Sequence, residues 1–580
     1  MKIIKKLYNK SVIALAVMMA GLTTSCTDYL TIIPSNVIVH ENFWQTKDQV
    51  NGMLANSYLK LINSNAIERA IVWGELRADN MTFPASNTSL KKIVEANILD
   101  DNAYSNWSIY YDAINCANLV LEYAPQVVER DPDFTEGDLD VVMGEMYAMR
   151  ALCHFYLVRA FRDIPMALVP AANDAELPEY VQVHPLEALN YIMEDLDRAE
   201  NLVMKSGNFA NHASNFGRIT NNAVLAMKAD VNLWRAAFAQ YYEGESDLVA
   251  AGDVQKYYDE CVQNCADVIS NMDRKKEEDN HNKPGFAQQT TPYNLLQNLG
   301  TDEDKDVRHM STVYDDIFGS KNSEESIFEL QIDGDNSTNG NCLGVYYMYG
   351  SEGKPGKVVV PSNFLQNKFQ DDDLRVYSYT NAKGLTGGND ASSAGNDSKN
   401  ELCIVKYSSK QSPASGYRKS DEFDANWIVY RRTDVLLMMA EAMVSRPSAG
   451  VEDFTEAFNI VNAINTRSRI DTLNIKKPLE PHQYMNQGSA INLVLDERAR
   501  ELSYEGKRWF DLVRLALREK STNSIKFVAD KLDSNSSVVK SKMSTIDGLF
   551  FPIYIDEMRY NKNLRQNPAY ITDDESVELN

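Results

Sequence analysis

Residues 497–512 read ERARELSYEGKRWFDL, and this stretch decides the fold. Its apolar residues Ala499 and Leu502 recur at helical spacing, and Trp509 continues the apolar stripe. Gly506 lies between the two halves, where a residue without a Cβ permits a bend or a break. The pattern predicts a packed helical segment over 490–518 that is interrupted near Gly506.

Charged residues of the same segment fall at spacings that suit ion pairs along a helix, namely Asp496–Arg500, Glu505–Arg508 and Asp511–Arg514. We interpret them as charges that hold neighbouring helices together. The alternative makes Glu501 and Glu505 the acid pair of a glycoside hydrolase. Because the chain contains 82 Asp and Glu residues, a pair of this kind on a helix is expected by chance. Neither this pair nor any other motif predicts catalysis, and no cofactor is predicted.

Outward from this segment, helical periodicity recurs along much of the chain. It predicts further helices near 41–62, 104–124, 140–163, 184–204, 220–241, 254–271, 428–446 and 452–468. The segment 141–163 is the most apolar of these, which predicts a helix buried on most sides. Helices of this length arranged in pairs predict stacked helical hairpins, as in a solenoid.

The middle of the chain differs in composition. Residues 272–300 and 333–425 are rich in Asn, Gly, Ser, Asp and Tyr, and Ser326–Leu330 (SIFEL) predicts a short strand. The stretch 384–399 (GLTGGNDASSAGNDSK) predicts a surface loop. Long insertions of this kind either carry a binding surface or are tolerated decoration, and composition does not separate the two.

The first 26 residues are similar to the leader of a bacterial lipoprotein. Four lysines and no acid precede residues 12–22 (VIALAVMMAGL), an apolar run of 11 residues that is too short to span a bilayer. Small polar residues then lead to Cys26. This predicts a signal peptide over 1–25 and lipidation at Cys26, where several acyl chains give stable anchoring. The alternative is a plain secretory signal with an incidental cysteine.

The charge balance excludes some classes of partner. The chain has 58 Lys and Arg against 82 Asp and Glu, a net charge of −24. Loss of the four leader lysines leaves 54 basic residues against 82 acids, or −28. Nucleic acids and anionic lipid surfaces both require clustered basic residues, so neither is a predicted partner.

Cysteine and acidic residues do not predict a metal centre. Six cysteines follow the leader: Cys116, Cys153, Cys261, Cys265, Cys342 and Cys403. Cys153 lies in an apolar run and is predicted to be a small buried side chain. The spacing predicts neither a disulfide framework nor a zinc site. The acidic runs 302–304 and 371–373 predict solvated turns, with a calcium site as the alternative.

Several motifs together resemble the RagB/SusD family, the outer-membrane nutrient-binding lipoproteins of Bacteroidetes. The most diagnostic is residues 497–512, which is similar to the family pattern "ERrrELafEG.RwfDL". Further matches are RRTDVLLMMAEA (431–442), NTRSR (465–469), the segment 551–570, CTDYL (26–30), FW (43–44) and the segment 107–118. Tyr554 and Asn563 depart from the pattern, since proline is usual at both positions. The resemblance spans nearly the whole mature chain and is weakest from 272 to 425.

This resemblance implies a mainly α fold of four tetratricopeptide-like helix pairs with an inserted, irregular, loop-rich ligand-binding subdomain. The implied regions are 26–271, 272–425 and 426–580. It further implies a lipoprotein on the outer face of the outer membrane that captures an oligosaccharide. The ligand would pass, without bond cleavage, to a SusC-like TonB-dependent transporter. Peptide capture with the same partner is one alternative, and a helical-repeat assembly factor is another.

A sugar site requires aromatic faces together with planar hydrogen-bonding groups. Two regions concentrate such residues, and the family places ligand contacts in loops near the first. The first region supplies Trp73, Arg77, Asp79, Asn80 and Trp107, and the second supplies Phe286, Tyr293, Tyr346, Tyr347 and Tyr349. Two alternatives stay open, since Trp107 also fits a core position and the spacing of Tyr347 and Tyr349 also fits a strand packed on one face.

Overall fold

Eight long helices form the scaffold of the computed structural model. They are α1 (Lys47–Ile62), α2 (Ser108–Tyr123), α3 (Glu136–Phe161), α4 (Pro185–Leu202), α5 (Asn221–Tyr242), α6 (Asp253–His281), α7 (Arg432–Ser445) and α8 (Val451–Arg467). Helix α1 packs on α2, α3 on α4, α5 on α6 and α7 on α8. Each pair also contacts the next, through α2 and α3, α4 and α5, and α6 and α7. The predicted stacked helical hairpins are confirmed.

The structure describes part of the chain. The described residues are 43–83, 88–171, 180–245, 247–281, 291–297, 312–332, 342–351, 354–380, 402–408, 418, 423–470, 475 and 477–571. The predicted leader with Cys26, the acidic run 302–304, Phe286 and the loop 384–399 all lie outside them. The chain divides after Gln45 into two units. In the first unit, the ring centroids of Phe43 and Trp44 lie 5.1 Å apart in an edge-to-face arrangement. The second unit, Thr46–Asn580, contains the helical scaffold.

Capping residues set where the scaffold helices begin. The Thr46 side chain accepts a hydrogen bond from the Gln49 backbone N–H, and the Gln49 side-chain oxygen accepts one from the Thr46 backbone N–H. This reciprocal cap starts α1 at Lys47 rather than at 41. Thr135 forms the same reciprocal cap with Asp138, and α3 therefore starts at Glu136, ahead of the predicted 140. Buried residues on every side of α3, including Cys153, confirm its predicted central position.

The signature segment, residues 497–512, lies within two helices and the turn between them. The helices are α9 (Gln487–Glu501) and α10 (Arg508–Arg518). The turn between them contains Gly506 at φ +70° and Tyr504 at φ +68°. A π-helical turn, Val72–Leu76, packs directly on this point, because a Cβ on Gly74 would lie 1.8 Å from the Gly506 carbonyl oxygen. The predicted break near Gly506 is confirmed.

One two-stranded sheet joins the middle of the chain to the C-terminal helices. Strand β1 (Ser326–Leu330) pairs antiparallel with β2 (Trp427–Arg431), and all ten residues are buried. The predicted strand at 326–330 is confirmed. The start predicted for the helix near 428 is wrong, since the β-branched and aromatic residues of β2 extend and α7 begins at Arg432.

The remaining elements are short. The helices are Ser64–Ile71, Thr88–Val94, Ser214–Gly217, Thr312–Tyr314, Gly344–Tyr349, Ser362–Lys368, Arg375–Tyr379, Ser536–Lys542 and Ile555–Tyr560, with a 3-10 segment at Asn523–Asn535. Two-residue strands pair Ile164–Pro165 with Gln182–Val183 and Gly350–Ser351 with Lys354–Pro355. Within the described part of the chain, no helix combines the length and the apolar content that a bilayer crossing requires.

Candidate functional site

The acidic residues of the signature segment lie inside the protein. Glu501 accepts hydrogen bonds from three arginines, at 2.9 Å from Arg431, 2.9 Å from Arg467 and 3.1 Å from Arg375. Glu505 lies 2.6 Å from the Lys406 ammonium and 2.7 Å from the Arg431 guanidinium. We call Arg375, Lys406, Arg431, Arg467, Glu501 and Glu505 the charged core. Its members are 2% exposed or less.

The charged core has the electrostatics of a structural network. Burial raises the pKa of Glu501, but the charges of Arg467, Arg431 and Arg375 outweigh it and hold that pKa well below its ordinary value. The pKa of Glu505 is also lowered, since Arg431 and Lys406 outweigh its burial. Glu501 and Glu505 are therefore buried carboxylates that neighbouring cations keep ionised. This supports the interpretation that the charges hold neighbouring elements together.

Of the three ion pairs predicted from helical spacing, the structure contains one. Asp511 and Arg514 pair at 2.7 Å, as predicted. The predicted Glu505–Arg508 pair is wrong, because Glu505 lies in the turn between α9 and α10, where helical spacing does not apply. Arg508 instead pairs with Asp79 at 2.9 Å. The predicted Asp496–Arg500 pair is also wrong. Asp496 pairs with Lys368 at 2.6 Å, and Arg500 pairs with Glu497 at 2.6 Å.

The acidic run 371–373 is not a solvated turn throughout. Asp373 is 1% exposed and binds the Arg375 guanidinium at 2.7 Å, and Asp372 pairs with Arg469. Their carboxylates are therefore engaged by arginine. Among the described residues, no cluster of three or more His, Cys, Asp or Glu is arranged to hold a metal ion, and the six cysteines are free thiols.

Most of the first predicted ligand region lies in the core. Trp73 is fully buried, donates its Nε1–H to the Tyr104 carbonyl at 2.8 Å and packs against Tyr110 at 5.1 Å. Trp107 is 2% exposed and meets Phe161 edge to face at 5.0 Å, which fits the alternative core interpretation. In this conformation neither indole presents a face to a ligand.

The polar residues of that region also have internal partners. Arg77 donates to the carbonyls of Leu549 at 2.8 Å and Gly548 at 2.6 Å, and Asn80 is fully buried with its amide donated to Glu75. Only Asp79 reaches a surface pocket, where it lies beside Arg508. This region was predicted to bind a ligand because it contains aromatic and planar polar residues. Such a composition does not distinguish a core aromatic side chain from an exposed one.

The second predicted region splits between core and surface. Tyr349 is 1% exposed and donates its hydroxyl to the Tyr504 carbonyl at 2.8 Å. Tyr293 is half-buried and donates to Glu456 at 2.8 Å. The strand interpretation of Tyr347 and Tyr349 is wrong, because residues 344–349 form a helix. Its inner side carries Tyr349, and Tyr346 and Tyr347 are half-buried like Tyr293.

Tyr346 and Tyr347 form an aromatic surface that packs on Phe423, whose own ring is buried at 2% exposure. The Tyr346 ring lies 5.3 Å from that of Phe423 and 6.2 Å from that of Tyr347. Sequence reasoning missed Phe423, which is 77 positions from Tyr346 and lies in a region chosen only for its composition. The surface is held against Ser64–Ile71, since a Cβ on Gly344 would lie 2.9 Å from Ile67 Cβ.

A buried carboxylate and a lysine border this aromatic surface. The Lys357 ammonium lies 5.8 Å from the centroid of the Tyr347 ring and binds both oxygens of Glu68, at 2.8 and 2.7 Å. Tyr104 donates its hydroxyl to the same carboxylate at 3.2 Å. Aromatic rings beside a lysine–carboxylate pair combine an apolar face with hydrogen-bonding groups, which is the chemistry of a polar ring-shaped ligand.

Comparison with known proteins gives a consistent result along the chain. A family model described as the SusD family matches residues 287–570, and one described as starch-binding associating with outer membrane matches residues 28–233. SusD-like protein P38 of Formosa agariphila is 24% identical over 584 residues, covering 98% of this chain and 100% of the relative. SusD-like protein P2 of the same organism is 24% identical, covering 88% and 91%.

Solved structures share the fold. The crystal structure of a SusD homolog from Bacteroides thetaiotaomicron matches with a TM-score of 0.65 at 19% identity, covering 91% of this chain and 98% of the other. A SusD superfamily protein from Parabacteroides distasonis matches with a TM-score of 0.61 at 22% identity, covering 90% and 99%. These likenesses establish the helical fold, and the family models add the sequence signature.

Proposed function

The chain belongs to the SusD family, and from that membership we propose that it binds a glycan at the bacterial outer membrane and delivers it to a SusC-like TonB-dependent transporter. The proposal includes a lipid anchor at Cys26, a cell-surface location and a ligand-binding role for the region 272–425. It assigns binding without bond cleavage. One matched family model is described as starch-binding and associated with the outer membrane, which supports both the ligand class and the location.

The aromatic surface is the observation that carries the proposal. Two tyrosine side chains, Tyr346 and Tyr347, are half-buried and keep part of their surface open to solvent, in a helix whose other aromatic, Tyr349, is buried and hydrogen-bonded. Sugar rings stack their C–H faces on exposed aromatic rings, while hydroxyl groups bond carboxylates and ammonium groups. The Lys357–Glu68 pair supplies both kinds of charged group beside Tyr347.

A glycan array followed by calorimetry tests the ligand class. The full-length chain, purified in a detergent that contains no sugar, is expected to bind at least one oligosaccharide. Tyr346→Ala and Tyr347→Ala are each expected to weaken that binding about three- to tenfold. Tyr560→Ala is the matched control, since Tyr560 is 89% exposed and lies on another helix, Ile555–Tyr560.

The alternatives give different results in the same experiment. Binding of peptides without any glycan supports the peptide-capture alternative. Absence of both, with a stable complex to another protein, supports the assembly factor. A glycan that binds equally to wild type and both tyrosine variants rejects the aromatic surface, although it leaves glycan binding in place. Shortened oligosaccharides after prolonged incubation contradict the non-enzymatic assignment.

The anchor and the partner are tested separately. Labelling with a palmitate analogue is expected to mark the wild-type chain, and equal labelling of Cys26→Ala contradicts lipidation at that residue. Gentle detergent extraction followed by affinity purification is expected to recover a TonB-dependent β-barrel in near-equal amount. Its consistent absence contradicts the transporter partnership.

A further inference from the structure

A pocket separate from the aromatic surface lies between the helix Ser362–Lys368 and the 3-10 segment Asn523–Asn535. It has a volume of about 220 Å³. At about 30 Å³ for each molecule of liquid water, this is room for roughly seven waters or for a single sugar ring. Asp79, the one residue of the first predicted ligand region that reaches the surface, contributes to its wall. The pocket therefore has the size of a small polar ligand.

An aromatic ring forms one side of the pocket. Phe527 is 37% exposed, although most phenylalanines of the described chain are in the core. The Lys368 ammonium lies 5.7 Å and the Arg508 guanidinium 6.0 Å from its ring centroid. Phe527 therefore offers a partly exposed apolar ring beside polar groups, a combination that a ligand with both an apolar face and hydroxyl groups can contact.

Two amide side chains face the same pocket. Asn363 and Asn367 are one helical turn apart on Ser362–Lys368, so they lie on one side of that helix. Asn363 is half-buried and Asn367 is exposed. Among the described residues, neither amide has a side-chain partner, and each keeps a donor and an acceptor for a ligand. Paired amides of this kind suit neighbouring hydroxyl groups.

The charged groups of the pocket are already compensated. Asp79 binds Arg508 at 2.9 Å, and Lys368 binds Asp496 at 2.6 Å. Asp530, which also lines the pocket, pairs with Lys540. Lys531 has no ion pair among the described residues, but backbone carbonyls of Leu76 at 2.9 Å, Ala78, and Met81 at 2.6 Å accept its three N–H groups. Because the charged groups of the lining already have these partners, the pocket favours neither an anionic nor a cationic ligand. A neutral ligand rich in hydroxyl groups fits best.

We propose that this pocket is a second saccharide site that holds one neutral sugar ring, with Phe527 under its C–H face and Asn363 and Asn367 bonded to its hydroxyls. The inference rests on the proposed glycan-binding function and adds a subsite to it. A ring held here, away from the aromatic surface, extends recognition to a longer or branched glycan, or to two chains at once.

Saturation-transfer NMR on the full-length chain tests the pocket directly. The probes are the methyl glycosides of glucose, galactose, mannose and xylose, in a detergent without a sugar headgroup, because a glycosidic detergent competes for the site. At least one probe is expected to show saturation transfer. Phe527→Ala and Asn367→Ala are expected to weaken its binding about fivefold or more. Tyr346→Ala and the exposed-surface control Tyr560→Ala are expected to leave a Phe527-dependent signal unchanged.

The outcomes separate the pocket from the proposed function. A Phe527-dependent signal that survives Tyr346→Ala supports a second site. Loss of all signal in Tyr346→Ala, or equal signal in wild type and Phe527→Ala, overturns the pocket while glycan binding at the aromatic surface stands. Absence of transfer to every methyl glycoside overturns the pocket, and the glycan array then decides independently whether the proposed function stands.

Discussion

The charged core and the aromatic surface differ in how far the protein encloses their side chains. In the charged core, Glu501 is surrounded by three arginines and is fully buried, so every charge has its partner inside the protein. At the aromatic surface, Tyr346 and Tyr347 keep part of their rings exposed. The family signature therefore maintains the architecture, whereas ligand contact is expected where aromatic side chains keep part of their surface exposed. We therefore expect mutations in the charged core to lower the free energy of unfolding strongly and mutations at the aromatic surface to change it little.

The largest expected effect is on the charged core. Glu501→Ala leaves Arg375, Arg431 and Arg467 without their shared carboxylate in a buried site. Breaking a buried ion pair from one side typically costs about 3–5 kcal/mol. We expect Glu501→Ala to lower the free energy of unfolding by that amount, measured by urea denaturation. The exposed Glu519→Ala is the control, with an expected change within about 0.5 kcal/mol. Equal stability of the two variants contradicts a structural role for the charged core.

The second prediction concerns Glu75, a buried carboxylate that forms no ion pair with any described residue. Burial raises the pKa of Glu75 from 4.5 to about 7, although hydrogen bonds from the Tyr504 and Gly506 amides and from Asn80 act against it. The folded state therefore binds this proton more tightly than the unfolded state. Its stabilising contribution is fully present below about pH 4.5 and is lost as the pH rises through 7.

Urea denaturation at several pH values checks this dependence. Relative to Glu75→Gln, which does not titrate, the wild type is expected to lose about 3 kcal/mol of unfolding free energy between pH 4.5 and pH 7.5. Comparing the two proteins removes the contributions of groups they share, such as His154, whose pKa burial lowers to about 3. A difference that stays constant over this range contradicts the raised pKa of Glu75.

The third prediction concerns the contact between the π-helical turn and the signature segment. A Cβ on Gly74 would lie 1.8 Å from the Gly506 carbonyl oxygen, so Gly74→Ala forces backbone apart. Overpacking of this kind typically costs about 1–3 kcal/mol. Gly52→Ala is the matched control, because no atom lies within 4 Å of its added Cβ and the position is inside α1. It is expected to raise stability by about 1 kcal/mol. Destabilisation by both variants contradicts the close contact.

The recurrence of apolar residues at helical spacing predicted all eight scaffold helices, because this pattern is local and visible in the sequence, even where, as in α3, the helix is buried on every side. Local reasoning also found the break at Gly506 and the strand Ser326–Leu330. It failed where the answer depended on distant residues. Arg508 pairs with Asp79, 429 positions away, rather than with Glu505, and no spacing rule predicts such a partner.

The candidate site was less predictable for a related reason. Aromatic and planar polar residues supply both protein cores and sugar sites, so composition selected buried Trp73 and Tyr349 together with partly exposed Tyr346 and Tyr347. Tertiary packing decides between the two uses. Phe423 and Phe527 were missed because neither lies in a local aromatic cluster, and each acquires its role only through neighbours far along the chain.

The smallest expected effect on stability is at the aromatic surface, and it completes the comparison with the charged core. Tyr346 contacts Phe423 and Tyr347 through ring edges and retains part of its exposure, so its removal opens no enclosed cavity. We expect Tyr346→Ala to change the free energy of unfolding by about 1 kcal/mol or less, measured beside Glu501→Ala under the same conditions. Tyr349→Ala is the contrast within one helix, because Tyr349 is buried and bonded to the Tyr504 carbonyl; it is expected to cost about 3 kcal/mol or more. If Tyr346→Ala lowers the free energy of unfolding as much as Tyr349→Ala does, the Tyr346 ring has a structural role like the rings of the core. That result contradicts the proposal that the aromatic surface binds a ligand.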